Sequence, residues 1–421
     1  MVSPAIVAVA LIAWAFSVHL PLVYTVLGLG WLLPTLELIG YRSGRRVYVD
    51  VAHGLSSYLI AVYAIGGVFG TIVTVFLAGL LPVFTNIAGV LLWPVWGVAI
   101  VFGVAIALPF IGFYNRTFGR VSPMRHIAIG YGMAIALTVI PAMFRLVFAY
   151  INYPVGTSIT PSSTSNTGFT LSVNVMEALG NPTYPPLLLA TIFGAIAMTG
   201  ILVSSIHGWR YASSRSEYHE VGRRVGNMVG LIFGVLYSIF AFWYLYTVYQ
   251  YSPTMAWSIF GHPPSYLPSA FYSVYKPTFT LSWMLYMNIA LGLIILALLL
   301  ISLKVVSRPV EALKLVLTPL LMDSAELMNG LAHMPYAVVP PVSAAEVLIK
   351  TYGLDFTLNV AKWLTVSQLL TPEINALLKV VSVEPGLLVG SLVFFAFFNV
   401  LLLYVIYAAL SWRRTTTAMG V

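Results

Sequence analysis

The 421 residues include no cysteine. Disulfides, iron–sulfur clusters and thioether-attached haem are therefore excluded for this chain, and any metal centre must be held by other side chains. Charge is scarce too: Asp, Glu, Lys and Arg make up 8% of the sequence against 60% hydrophobic residues. So few polar groups cannot cover a globular surface, which rules out a soluble domain. Also missing are a Walker loop, a dinucleotide fingerprint, a zinc motif and a nucleophile elbow, so the soluble enzyme classes have no support. The opening Met-Val-Ser-Pro lacks a basic segment, and the apolar run behind it exceeds a signal-peptide core, so the start reads as uncleaved.

What the sequence does have is length of apolar chain. A helix needs about 20 apolar residues to cross roughly 30 Å of hydrocarbon, and nine segments qualify: 8–39, 52–80, 87–113, 127–151, 185–208, 225–250, 279–303, 312–334 and 387–411. Backbone groups facing lipid must pair within their own segment, so the expected fold is all-α, a polytopic bundle of nine transmembrane helices forming one membrane domain. Long outer connections are expected at 152–184, 251–278 and 335–386. Arg42, Arg45, Arg46, Arg116, Arg120, Arg125, Arg210, Arg215, Arg223, Arg224, Lys304, Arg308, Lys314, Arg413 and Arg414 fall on alternate connections, against Lys276, Lys350, Lys362 and Lys379 on the others. The basic side is expected to be cytoplasmic, with the N-terminus outside and the C-terminus inside. The net charge of +8 is then a topology signal and calls for no nucleic-acid partner.

Ionisable groups inside spans are costly and mark function. His19 sits in an uncharged run, 6–36, and could ligate haem iron or hydrogen-bond a neighbouring helix. The eighth span carries Asp323, Glu326 and His333; Glu326 and His333 are two turns apart on one face. This stripe could be a helix-orienting pair, a haem site or a proton relay. Arg145 in the fourth span could offset a haem propionate or pair with Asp323 or Glu326, but the preferred reading has it snorkel to the interface. Met287 could supply a thioether ligand, although packing is its commoner use. His53, His126, His207, His219 and His262 read as interfacial or solvated. Gly66 and Gly70 form a small-xxx-small pair that permits close helix contact.

The stretch from His19 through Gly28, Leu32, Leu33, Glu37, Ser43, Gly44 and Tyr48 to Asp50 resembles the first helix and turn of subunit I of cytochrome bd-type quinol oxidases. Gly66 with Gly70, Asn115-Arg116 to Gly119-Arg120-Val121, Asn152-Tyr153-Pro154 and Asn181-Pro182 add to the likeness. The resemblance implies a cell-membrane respiratory complex that oxidises quinol and reduces oxygen to water, with haem of b or d type, a second subunit packed against this one and lipid around both. It also implies His19 as an axial haem ligand. Other positions depart from the family: Ala190 stands where a low-spin haem ligand is expected, the third span lacks carboxylates, His333 replaces a glutamate, and the quinol loop is reduced to 251–278 without a carboxylate. The leading expectation is a degenerate subunit I-like chain beside a complete paralogue. The alternatives are a divergent catalytic subunit with substituted ligands and a proton-coupled transporter.

Overall fold

A computed structural model describes residues 4–80, 89, 92–161, 169–269, 272–277 and 280–337. Long helices run over Pro4–Ser43 (α1), Arg46–Leu80 (α2), Trp93–Thr117 (α3, with a π-helical stretch at Val101–Ala107) and Pro123–Asn152 (α4). After the short helix Val175–Leu179 (α5) come Tyr184–Ser214 (α6) and Glu217–Tyr251 (α7). The short helices Pro253–Phe260 (α8) and Tyr272–Tyr275 (α9) then lead into Ser282–Ser302 (α10) and Arg308–Ala337 (α11). Seven of these, α1 to α4 with α6, α7 and α10, are long and apolar enough to cross a membrane. α11 falls outside that set because Lys314, Asp323, Glu326 and Asn329 dilute its hydropathy. The expected span 387–411 and nearly all of the connection 335–386 lie outside the described residues.

The helices stop where local chemistry requires it. Gly44 (φ 65°) and Gly119 (φ 68°) take left-handed backbone in the turns after α1 and α3, which an L side chain adopts only at a cost. Ser216 caps α7 by accepting from the His219 amide. The turns at one end of the bundle are tied together: Arg45 pairs with Glu217 at 2.8 Å, and Arg308 donates to Ser213 at 2.5 Å. The α1–α2, α6–α7 and α10–α11 turns therefore share the basic end.

Two sequence expectations, the placements of Lys314 and Arg223, are corrected here, and one connection gains local structure. The connection 152–184 folds in part as an antiparallel hairpin, Thr157–Pro161 with Phe169–Val173, in register Thr157↔Val173. Period-2 alternation of Phe169, Leu171 and Val173 was its signal, masked by the polar residues beside it. Lys314, expected as a basic connection residue, is fully buried and meets Glu311 at 2.7 Å and Ser204 at 3.1 Å. Arg223 is buried as well and donates to the Ser302 carbonyl at 2.8 Å. Both lie one or two turns inside the helix ends, where groups of α6, α10 and α11 partner them.

Small residues set how closely the helices approach. A Cβ at Gly28 would sit 2.1 Å from Thr199 Oγ1, and one at Gly226 would sit 2.5 Å from the Gly200 carbonyl. α1 thus packs on α6, and α6 on α7, at backbone distance. The main core of Leu27, Leu33, Leu55, Ile111, Met133 and Met198 lies among α1, α2, α3, α4 and α6.

Candidate functional site

His19 faces α2, and the two glycines there hold its ring. Nδ1–H donates to the Gly66 carbonyl at 3.1 Å, which leaves the Nε2 lone pair unused among the described residues. A Cβ at Gly70 would lie 3.0 Å from His19 Cε1. The small-xxx-small pair is therefore the seat of an imidazole as well as a helix contact. The ring lines a cavity of about 610 Å³ bordered by α1, α2, α3, α4, α6 and α11, a size usual for ligand and cofactor sites.

Arg145 and Glu326 also line this cavity. Arg145 Nη1 donates to Glu326 Oε2 at 2.9 Å, Nη2 donates to Oε1, and Tyr24 donates its hydroxyl to the same Oε1. Arg145 is only 6% exposed, so the snorkelling expectation is wrong. A bidentate carboxylate inside the bundle satisfies the guanidinium fork better than the distant interface does.

His333 lines the cavity too, but both of its nitrogens are engaged. Nδ1 is 2.7 Å from the Asn329 carbonyl and Nε2 is 2.5 Å from Asn152 Oδ1. Asn152 Nδ2 donates to the Tyr244 hydroxyl at 2.9 Å, which donates to Asn329 Oδ1 at 2.7 Å. This network joins α4, α7 and α11. Sequence reasoning found its histidine as a candidate ligand and Asn152 only as part of a family likeness, because an Asn or Tyr within a span carries no distinguishing pattern.

The remaining candidates lie elsewhere. Asp323, one turn before Glu326, has a buried Oδ1 without a hydrogen-bond partner among the described residues, and it lines neither cavity. Met287 is half-buried on α10, also away from both. His126, expected as interfacial, is buried: Nδ1 lies 2.7 Å from Glu37 Oε2 and Nε2 2.8 Å from the Tyr114 carbonyl, while Tyr114 donates to Glu37 Oε1 at 2.6 Å. Glu37 therefore binds α3 and α4 to α1. His207 is buried against His219, with 3.2 Å between their Nδ1 atoms, a further departure from the solvated reading. His53 stacks on Phe118, and His262 is exposed.

A second cavity of about 280 Å³ lies among α6, α7, α10 and α11. Ala190 lines it, and no imidazole among the described residues does. Tyr24, Thr191, Glu326 and Asn329 line both cavities, so these four residues form the wall between them. Haem, which the resemblance implies, can be tested against both places. The first cavity fits a haem iron: it has one imidazole whose far nitrogen is anchored on a backbone carbonyl, the arrangement that orients metal-bound histidines. The second does not fit, since a methyl group at Ala190 offers iron nothing.

No curated protein matches the chain in sequence. Among solved structures, the bd oxidase from Geobacillus thermodenitrificans shares the fold at a TM-score of 0.68 and 15% identity, covering 90% of this chain and 98% of that one. The family model for cytochrome bd terminal oxidase subunit I matches residues 7–274. By that match the chain belongs to the cytochrome bd terminal oxidase subunit I family, a family of multi-pass membrane proteins that work in quinol:oxygen oxidoreductase complexes.

Proposed function

We propose that this chain is a subunit I-like half of a bd-type oxidase that works beside a complete paralogue and holds one haem of its own, through His19. The observation that carries the reading is the contrast between the cavities: an imidazole with a fixed Nδ1–H and a free Nε2 lines the first, and Ala190 lines the second. A haem bound in the first cavity supplies redox chemistry, serving the transfer of quinol electrons to oxygen.

The chain's own residues hold and shape that site. His19 provides the ligand nitrogen, and Gly66 fixes the ring's orientation. Arg145 offsets the Glu326 carboxylate and is not free for a propionate. His333 orients α4, α7 and α11 through Asn152 and is left out of the ligand set. Met287 and Asp323 are left out too, and Glu326, on the wall between the cavities, is committed to its ion pair with Arg145. In this reading the chain is one membrane domain with its basic end in the cytoplasm and its N-terminus outside.

The test is to purify the chain with whatever copurifies, then record reduced-minus-oxidised and pyridine haemochrome spectra. The reading predicts b- or d-type bands and a second bd-family subunit in the preparation. A complex without haem contradicts it.

A further inference from the structure

At the basic end α6 and α11 run antiparallel past each other, and three contacts fix their register. Arg308 donates to Ser213, a Cβ at Gly208 would sit 2.5 Å from Glu311 Cδ, and Lys314 reaches Ser204 at 3.1 Å. Each step forward on α11 is matched by a step back on α6. Ile206 and Leu315 therefore stand level, seven residues and about 10 Å deeper than Ser213 and Arg308. Seven residues make two turns, so Ile206 shares a face of α6 with Ser213, and Leu315 shares a face of α11 with Arg308.

What this strip of surface presents changes with depth. Ile206 and Leu315, 45% and 40% exposed, offer apolar contact. Above them stands Trp209, also 45% exposed, with the Arg308 guanidinium 5.7 Å from its ring centroid. Arg210 is exposed beside it, one turn before Ser213. Aliphatic side chains, then an indole, then cations and a hydroxyl follow the order of acyl chain, interface and head group in one leaflet.

The protein does not neutralise these two arginines. Glu217 is taken by Arg45, Glu220 by Arg224, and Glu311 is buried against Lys314. Neither Arg210 nor Arg308 meets a carboxylate among the described residues. Arg308 spends an N–H on Ser213, which leaves the rest of its planar fork for an acceptor with paired oxygens, and phosphate matches that fork. A head group of net negative charge is favoured over a zwitterionic one, whose own cation would meet two more. An acidic peptide would satisfy the arginines but make no use of the apolar floor below them, so the occupant is a lipid.

We propose that the groove between α6 and α11 holds an anionic phospholipid of the leaflet at the basic end. Its phosphodiester sits on Arg308, Arg210 and Ser213, its glycerol region against Trp209, and an acyl chain along Ile206 and Leu315. Such a site differs from the general basic excess at this end in needing two particular arginines. It does not depend on haem at His19.

The test is native mass spectrometry of the intact complex in mild detergent, titrated with phosphatidylglycerol or, separately, with phosphatidylcholine. One cation beside an anionic lipid is worth about fivefold in binding. Arg210→Gln, which removes no described hydrogen bond or ion pair, should weaken the tightest phosphatidylglycerol adduct several-fold, and Arg210→Gln with Arg308→Gln about tenfold or more. Arg116→Gln with Arg120→Gln, in the turn after α3, should leave that adduct in place. Phosphatidylcholine adducts should be alike in all variants, with haem and subunit content unchanged. The proposal is overturned if the Arg116 and Arg120 changes weaken the adduct equally, or if the Arg210 and Arg308 changes leave it intact. Displacement of the lipid by inorganic phosphate, or copurification of an acidic protein in its place, overturns it as well.

Discussion

Arg145 and Glu326, 181 residues apart in sequence, meet as a two-toothed ion pair beside Tyr24, at the wall between the two cavities. With Tyr24, the pair ties α4 and α1 to α11. Because neither partner is well solvated, removing one strands the other, at a cost of about 3–5 kcal/mol. Arg145→Leu and Glu326→Leu should each lower the thermal midpoint of the purified complex substantially. The double variant should lose much less than the sum, since no uncompensated charge remains. Additive losses in unfolding followed by circular dichroism would refute the coupling.

Lys314 and Glu311 form a second buried pair, one turn apart near the basic end. Lys314→Met leaves the Glu311 carboxylate among buried groups and should destabilise by a similar amount, about 3 kcal/mol. Adding Glu311→Gln should recover most of that loss. Equal stability of Lys314→Met and the unaltered chain, in a denaturant-resistance assay on the complex, would show that the lysine is solvated after all.

Gly70 tests how His19 is seated. A Cβ there lies 3.0 Å from the ring, whereas one at Gly67 meets nothing within 4 Å. Gly70→Val should therefore shift or erase the haem bands assigned to this chain, and Gly67→Ala should leave them in place. Absorption spectra of the two variants side by side settle it; matching spectra would mean the glycine serves helix packing alone.

Outside the spans, burial pushes the Tyr275 phenol up to about 12, against roughly 10 for an unfolded tyrosine. The folded chain holds this proton more tightly than the unfolded one. Its contribution to stability is thus complete below about pH 10 and is lost as pH rises toward 12. Tyrosinate absorbance should show the group of late-titrating phenols smaller by one in Tyr275→Phe than in the unaltered protein. A normal titration of every tyrosine would contradict the buried placement.

Most helices were legible in the sequence because apolar length alone dictates a span: the segments 8–39, 127–151, 185–208 and 225–250 each fall inside an observed helix. His19 was legible for a related reason, as an imidazole in an uncharged run has few harmless explanations. The partners were not. Gly66 supplies a backbone carbonyl, which no residue pattern announces, and the Asn152–Tyr244–Asn329 network joins three helices whose neighbours are known only after folding. Arg145 and Lys314 misled because a long cationic side chain near a helix end has an easy escape to water; only the carboxylates of Glu326 and Glu311 across or along the bundle reverse that preference. The hairpin was hidden because its alternation is short and lies next to a Ser/Thr-rich stretch.

The account turns on His19 as the ligand of one haem. The direct measurement is haem per complex, by pyridine haemochrome, in the unaltered protein and in His19→Ala, with subunit content verified in both. The account predicts the loss of about one haem per complex, with the partner's bands retained. Unchanged haem content in His19→Ala would contradict it.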